Sequence, residues 1–121
     1  MKKIVVDLDN TITMHDSSKS YDEQSPNKLM IDTLRDYHRQ GIFVTIFTAR
    51  NMRTFSGDVD KIRKHTLPII IEWLDKHSVP YDEILIGKPW CGHDGFYVDD
   101  RAIRPSEFVS MTEEQIRELF E

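Results

Sequence analysis

Lys3-Ile4-Val5-Val6-Asp7-Leu8-Asp9-Asn10-Thr11 is the stretch from which the rest of the chain is read. Residues 3–8 are β-branched and mostly apolar, a run suited to a strand covered on both faces, and the run ends in carboxylates. Alternate residues of a strand share a face, so Asp7 and Asp9 present two carboxyl functions together where the strand runs out. Such crowding is costly without a cation. Either the carboxyl pKa values rise or a hard divalent ion is drawn in, and an oxygen-only donor set favours Mg2+.

Downstream of this stretch, Ser25-Pro26 reads as an N-cap followed by the first helical position. Leu29, Met30, Leu34 and Tyr37 then recur at near-helical spacing up to Gly41, which predicts a helix over 26–40. Ile42–Phe47 predicts a second buried strand that stops at Thr48-Ala49-Arg50. From Asp58 to His77 the apolar positions favour helix, but Pro68 lacks a donor, so two helical pieces should break near Thr66. Residues 82–86 and 95–98 predict two short strands, ending at Gly87-Lys88 and at Asp99-Asp100, and Thr112–Gln115 resembles a capping box opening a terminal helix.

Strands alternating with helices imply right-handed crossovers and a parallel, Rossmann-like sheet, hence a three-layer α/β domain spanning 1–121. In such sheets ligands gather outside the carboxyl ends of the strands. Asp7, Asp9, Thr48, Lys88, Asp99 and Asp100 all fall at such ends. Two loops, 12–24 and 51–57, are long enough to be functional.

Composition bounds the partners. A chain of 121 residues leaves room for one ordinary domain, and 39% apolar with 31% charged residues excludes collagen-like, low-complexity and wholly disordered classes. A formal charge of −5 opposes nonspecific attraction to nucleic acid or anionic lipid, so an anionic ligand needs a local cationic site. The lone Cys91 cannot form an intramolecular disulfide, the N-terminal apolar run is too short for a signal peptide, and no run approaches membrane-spanning length. A cytoplasmic protein is the expectation.

Four short motifs together resemble those of the haloacid dehalogenase superfamily of aspartate-nucleophile phosphatases. Ile4–Thr11 looks like the first motif, an apolar strand followed by Asp-x-Asp-x-Thr. Phe47-Thr48 resembles the second, Lys88 the third and Tyr97-Val98-Asp99-Asp100 the fourth. The resemblance implies Asp7 as nucleophile, Asp9 as general acid and later base, and Thr48 and Lys88 as the hydroxyl and ammonium that neutralise the phosphoryl group. It implies Mg2+ held by the Asp7 side chain, the Asp9 carbonyl and a fourth-motif carboxylate. Asp100 matches the ligand position and Asp99 would stand behind it. Where relatives have Gly-Asp at that strand end, this chain has Asp-Asp. Asp9 favours a phosphatase over dehalogenases, which lack the acid, and over ion-pumping ATPases, which carry Thr there; phosphomutases share the pair.

Neither inter-motif gap holds a full cap domain, so the resemblance is to capless members, and most closely to the capsule-biosynthesis phosphatase group of bacteria. The implied substrate is a small phosphomonoester, a sugar phosphate of polysaccharide biosynthesis. Arg50 and Arg101 directly follow motif positions, so each either holds a second anionic group of the substrate or pairs with the acidic cluster. Asn51 and Trp90 are further candidates for substrate contact. Met52 and Phe55 in loop 51–57 would expose apolar surface beside the cleft, which suggests a closed homo-oligomer covering an open site. Three alternatives stand beside this reading. The local basic excess over 50–65 and the Asp-Asp-Arg sequence allow a polynucleotide end phosphatase. A phospho-accepting receiver domain has similar length and chemistry, but it places its acidic pair and phosphorylated Asp in a different order. The last is a silent sugar-phosphate binder.

Overall fold

A computed structural model describes residues 2–120. Its elements begin with β1 (Lys3–Val6), β2 (Thr13–Met14), a 3-10 turn at Tyr21–Glu23, β3 (Ser25–Pro26) and α1 (Lys28–Arg39). They continue with β4 (Phe43–Phe47), α2 (Val59–His65), α3 (Leu67–Lys76), β5 (Glu83–Leu85), α4 (Pro105–Ser110) and α5 (Glu113–Glu118). The chain divides into two compact units, Met1–Trp90 and Cys91–Glu121.

The first unit is mixed α/β around a parallel sheet of order β1-β4-β5, with Val6 beside Ile46 and Ile46 beside Ile84. β4 is central, and Val44, Thr45 and Ile46 are all fully buried, so both its faces are covered. β1 differs from the expectation at its middle. Val6 is buried, but Val5, on the opposite face, is 58% exposed, because an edge strand bearing Lys3 and Val5 outward has only one covered face. On that outward face Lys3 reaches Glu83 at 3.0 Å and Thr45 donates to Glu83 at 2.6 Å, a polar tie across all three strands.

The helix expected over 26–40 begins later. Asn27 is the N-cap, its Oδ1 accepting from Met30 N at 3.2 Å, while Ser25 and Pro26 pair instead with Met14 and Thr13 as the short antiparallel β2–β3 ladder. The Ser-Pro signal is local, whereas the pairing that displaces it comes from a dozen residues upstream. α1 buries Met30, Ile31 and Leu34. The break expected near Thr66 is present: Thr66 closes α2 and opens α3, and Pro68 sits in the first turn of α3, where its missing donor costs nothing. α3 contributes Ile70, Trp73 and Leu74 to the core.

In the second unit, residues 95–98 do not form the strand that their apolar pattern predicts, and Phe96 is 80% and Val98 90% exposed. Four residues opening on a glycine hold no strand without a neighbouring ladder. α4, which the sequence reading did not include, starts at Pro105 and buries Phe108, with Arg104 N donating to Glu107 Oε1 at 2.8 Å. α5 has the expected capping box, Thr112 Oγ1 accepting from Gln115 N and Gln115 Oε1 from Thr112 N. No helix among the described residues is long and apolar enough to cross a membrane.

Candidate functional site

β1 ends at Val6, and the next residues close a tight turn in which Leu8 O accepts from the backbone N of Ile12 at 2.9 Å and of Thr13 at 3.1 Å. Asn10 takes a left-handed conformation, φ 56°, which Asn tolerates, and its N donates to Thr13 Oγ1 at 3.0 Å. Leu8 and Ile12 are anchored in the core, so Asp7 and Asp9 are held from below. Asp7 accepts from Thr11 Oγ1 at 3.2 Å and lies 3.6 Å from Lys88 Nζ. Burial raises its carboxyl pKa above the ordinary value, against the opposing pull of the Lys88 charge.

Main-chain bonds bring Thr48 and Lys88 to the same end of the sheet. Thr48 N donates to Leu85 O at 3.0 Å, and Lys88 N donates to Thr48 O at 3.2 Å, carrying the β4–β5 pairing past the strand ends. Gly87 makes the intervening turn with φ 86°, a conformation that L side chains rarely adopt. Thr48 is fully buried and its Oγ1 accepts from Arg50 N at 3.1 Å.

Arg50 makes the acidic-cluster pairing that was one of its two sequence readings. Its side chain is 1% exposed and grips Asp9 with two bonds, Nη2 to Oδ1 at 2.7 Å and Nε to Oδ2 at 3.2 Å. The Tyr21 ring covers the guanidinium at 4.2 Å, and Nη1 is buried with no hydrogen-bond partner. Burial and the neighbouring Asp9 charge raise the Tyr21 phenol pKa. Asn51, in the left-handed region at φ 62°, accepts from Thr66 Oγ1 at 2.7 Å and donates to Thr54 at 3.3 Å, so it shapes loop 51–57. In that loop Met52 and Phe55 are half-buried rather than displayed, and Phe55 stacks on His65 at 5.8 Å.

Loop 12–24 is built around Gln24, which is buried and whose side chain bonds Asp16 N, Asp16 O and Lys19 O. Its carbonyl accepts from Trp73 Nε1 at 2.9 Å, tying the loop to α3. A cavity of about 280 Å³ opens beside it, lined by His15, Lys19, Tyr21 and Gln24 among others. Trp90 is 45% exposed.

In the second unit Asp99 and Asp100 are exposed. Asp99 Oδ1 accepts from Arg101 N at 2.8 Å, and the Arg101 guanidinium lies over the Phe120 ring at 4.9 Å. Among the described residues no three His, Cys, Asp or Glu side chains gather as a metal cluster. The sequence reading placed Asp7, Asp9, Thr48, Lys88 and Arg50 together, but it assigned no role to Thr11 or Tyr21. Thr11 stood inside the quoted motif, four residues after Asp7; an aromatic in a polar loop gave no signal.

Neither a family model nor a curated protein matches the chain. Among solved structures it is similar to a crystallised structural-genomics target from Vibrio cholerae, at 62% identity over 99% of this chain and 97% of that one, with a TM-score of 0.96. The chain belongs to that protein's family. Identity at this level with the Vibrio cholerae relative carries the mixed α/β architecture over the whole described chain.

Proposed function

We propose that the chain is a capless phosphatase of haloacid dehalogenase type, with that superfamily's three-layer, Rossmann-like fold, hydrolysing a small phosphomonoester through an aspartyl-phosphate on Asp7. The observation that carries the reading is the juxtaposition of Asp7 with Lys88 and Thr11 at the carboxyl end of a parallel sheet, where Thr48 also emerges. In the first half-reaction an Asp7 carboxylate oxygen attacks phosphorus, the bond to the leaving oxygen breaks, and that oxygen takes a proton from Asp9. In the second, water attacks the acyl phosphate, yields its proton to Asp9 and frees Asp7 with inorganic phosphate. Lys88 and Thr48 offset the charge on the transferring group.

Arg50 holds Asp9 by two hydrogen bonds and keeps one guanidinium nitrogen, Nη1, buried without a partner, a donor still to be satisfied beside the proposed acid. This supports Arg50 as a substrate contact; Asn51, Arg101 and Trp90 remain candidates.

Mg2+ fits the donor set. It needs only one or two protein carboxylates, with water and substrate phosphate completing six oxygens. The Asp7 carboxylate and the Asp9 carbonyl would hold it, and the resemblance assigns the fourth-motif carboxylates to it as well, Asp100 as ligand and Asp99 in support. Bound there, the ion would neutralise phosphoryl charge. The chain's net charge of −5 favours a small metabolite such as a sugar phosphate of polysaccharide biosynthesis over nucleic acid, and the lone cysteine fits a cytoplasmic setting. Asp7→Asn should abolish hydrolysis of p-nitrophenyl phosphate while leaving circular dichroism unchanged, and exhaustive chelation should silence the wild type. Wild-type turnover by the variant would remove Asp7 from the chemistry; full activity after chelation would remove the metal.

A further inference from the structure

The segment that reads as a strand yet stands exposed points to a second copy of the chain. Residues 95–98 alternate no polar groups, and Phe96 and Val98 expose most of their surface in the single chain. The 91–121 unit to which they belong is far below the size at which a domain sustains its own core, and among its described residues Phe108 alone is a buried apolar side chain. On the first unit, β1 is an edge of the sheet, with Val5 58% exposed. An uncovered edge strand offers a row of main-chain donors and acceptors to any extended segment, and an apolar, β-rich segment of the same protein is its nearest chemical match.

We propose that residues 95–98 of one copy add to β1 of a second copy, and reciprocally, so that two chains close a strand-exchanged dimer. Strand addition parallel to β1, as β4 already pairs with it, brings Asp99 and Asp100 of one copy to the end of the sheet where Asp7 and Asp9 of the other emerge. Each site is then built from two chains. The exchange itself stands on the exposed segment and the open edge. Its direction, and the sharing of the site, rest on the phosphatase reading above.

Four measurements test this. Sedimentation equilibrium should give twice 14.3 kDa for the wild type. Phe96→Lys with Val98→Lys should give a folded monomer by the same method and by circular dichroism, because both side chains lie outside the core. In a Cys91→Ser background, Val5→Cys and Val98→Cys copies, mixed and treated with a short bismaleimide, should form a crosslinked pair that neither copy forms alone. Finally, Asp7→Asn and Asp100→Asn chains, each inactive, should regain about a quarter of wild-type activity when mixed in equal amounts and allowed to reassociate, because half the dimers are mixed and each of those has one complete site. A wild-type monomer at every concentration overturns the proposal, and a dimer that yields no Val5–Val98 link overturns the exchange. An active, crosslinkable dimer without complementation overturns the shared site. Absence of phosphatase activity in the wild type would fall on the functional reading alone, because mass and crosslink judge the exchange without it.

Discussion

Burial sets the protonation of Asp7 against the nucleophilic role proposed for it. Its folded pKa is raised above the unfolded value of 3.8, so as pH rises between those values the unfolded chain releases a proton that the folded chain keeps. Stability from this group therefore falls with rising pH through that window, and at neutral pH Asp7 costs stability. Asp7→Asn should raise the melting temperature at pH 7 and lose that advantage toward pH 3, measured by thermal unfolding. Arg50 is the second sensitive position. Arg50→Met keeps much of the buried stem but leaves Asp9, a third exposed, without its partner, and should cost about 1–3 kcal/mol by denaturant unfolding. If Arg50 also receives substrate, KM should rise more than kcat falls.

At the scale of elements, the turn after β5 decides where Lys88 stands. Gly87→Ala forces a left-handed conformation on an L residue and sets a new Cβ 3.3 Å from Val59 Cγ2, so stability should fall by roughly 1–2 kcal/mol. The loss in kcat should be larger than that, read by steady-state kinetics beside a melting curve, because the strain falls on the main chain that presents the ammonium. The strand ends bearing Asp7, Thr48 and Lys88 were legible in the sequence because buried β-branched runs stop abruptly at polar residues. The start of α1 was not: Ser25-Pro26 is a good cap signal, overruled by a pairing with Thr13 and Met14 that local pattern cannot report. Residues 95–98 fail in the opposite sense, since their pattern states a preference for strand but not which edge satisfies it. Tyr21 over Arg50 and Gln24 inside its loop were invisible for a similar reason: a contact between loops leaves no period in either.

For the first unit as a whole, one indole connects core to site. Trp73 fills the interior from α3 and donates through Nε1 to Gln24 O, and Gln24 in turn organises the loop that carries Tyr21 onto Arg50. Trp73→Phe retains most of the packing but strands a buried carbonyl. It should cost about 1–3 kcal/mol, and faster amide exchange should follow across residues 16–24, with α1 and β4 unaffected. Thr48 and Lys88 differ from Arg50 in how they are placed. The main chain clasps them, Thr48 N to Leu85 O and Lys88 N to Thr48 O, and neither clasp involves a side chain. A substitution at Lys88 therefore exchanges the tool and leaves the bench intact, whereas one at Thr48 also unfastens Arg50 N from a buried hydroxyl.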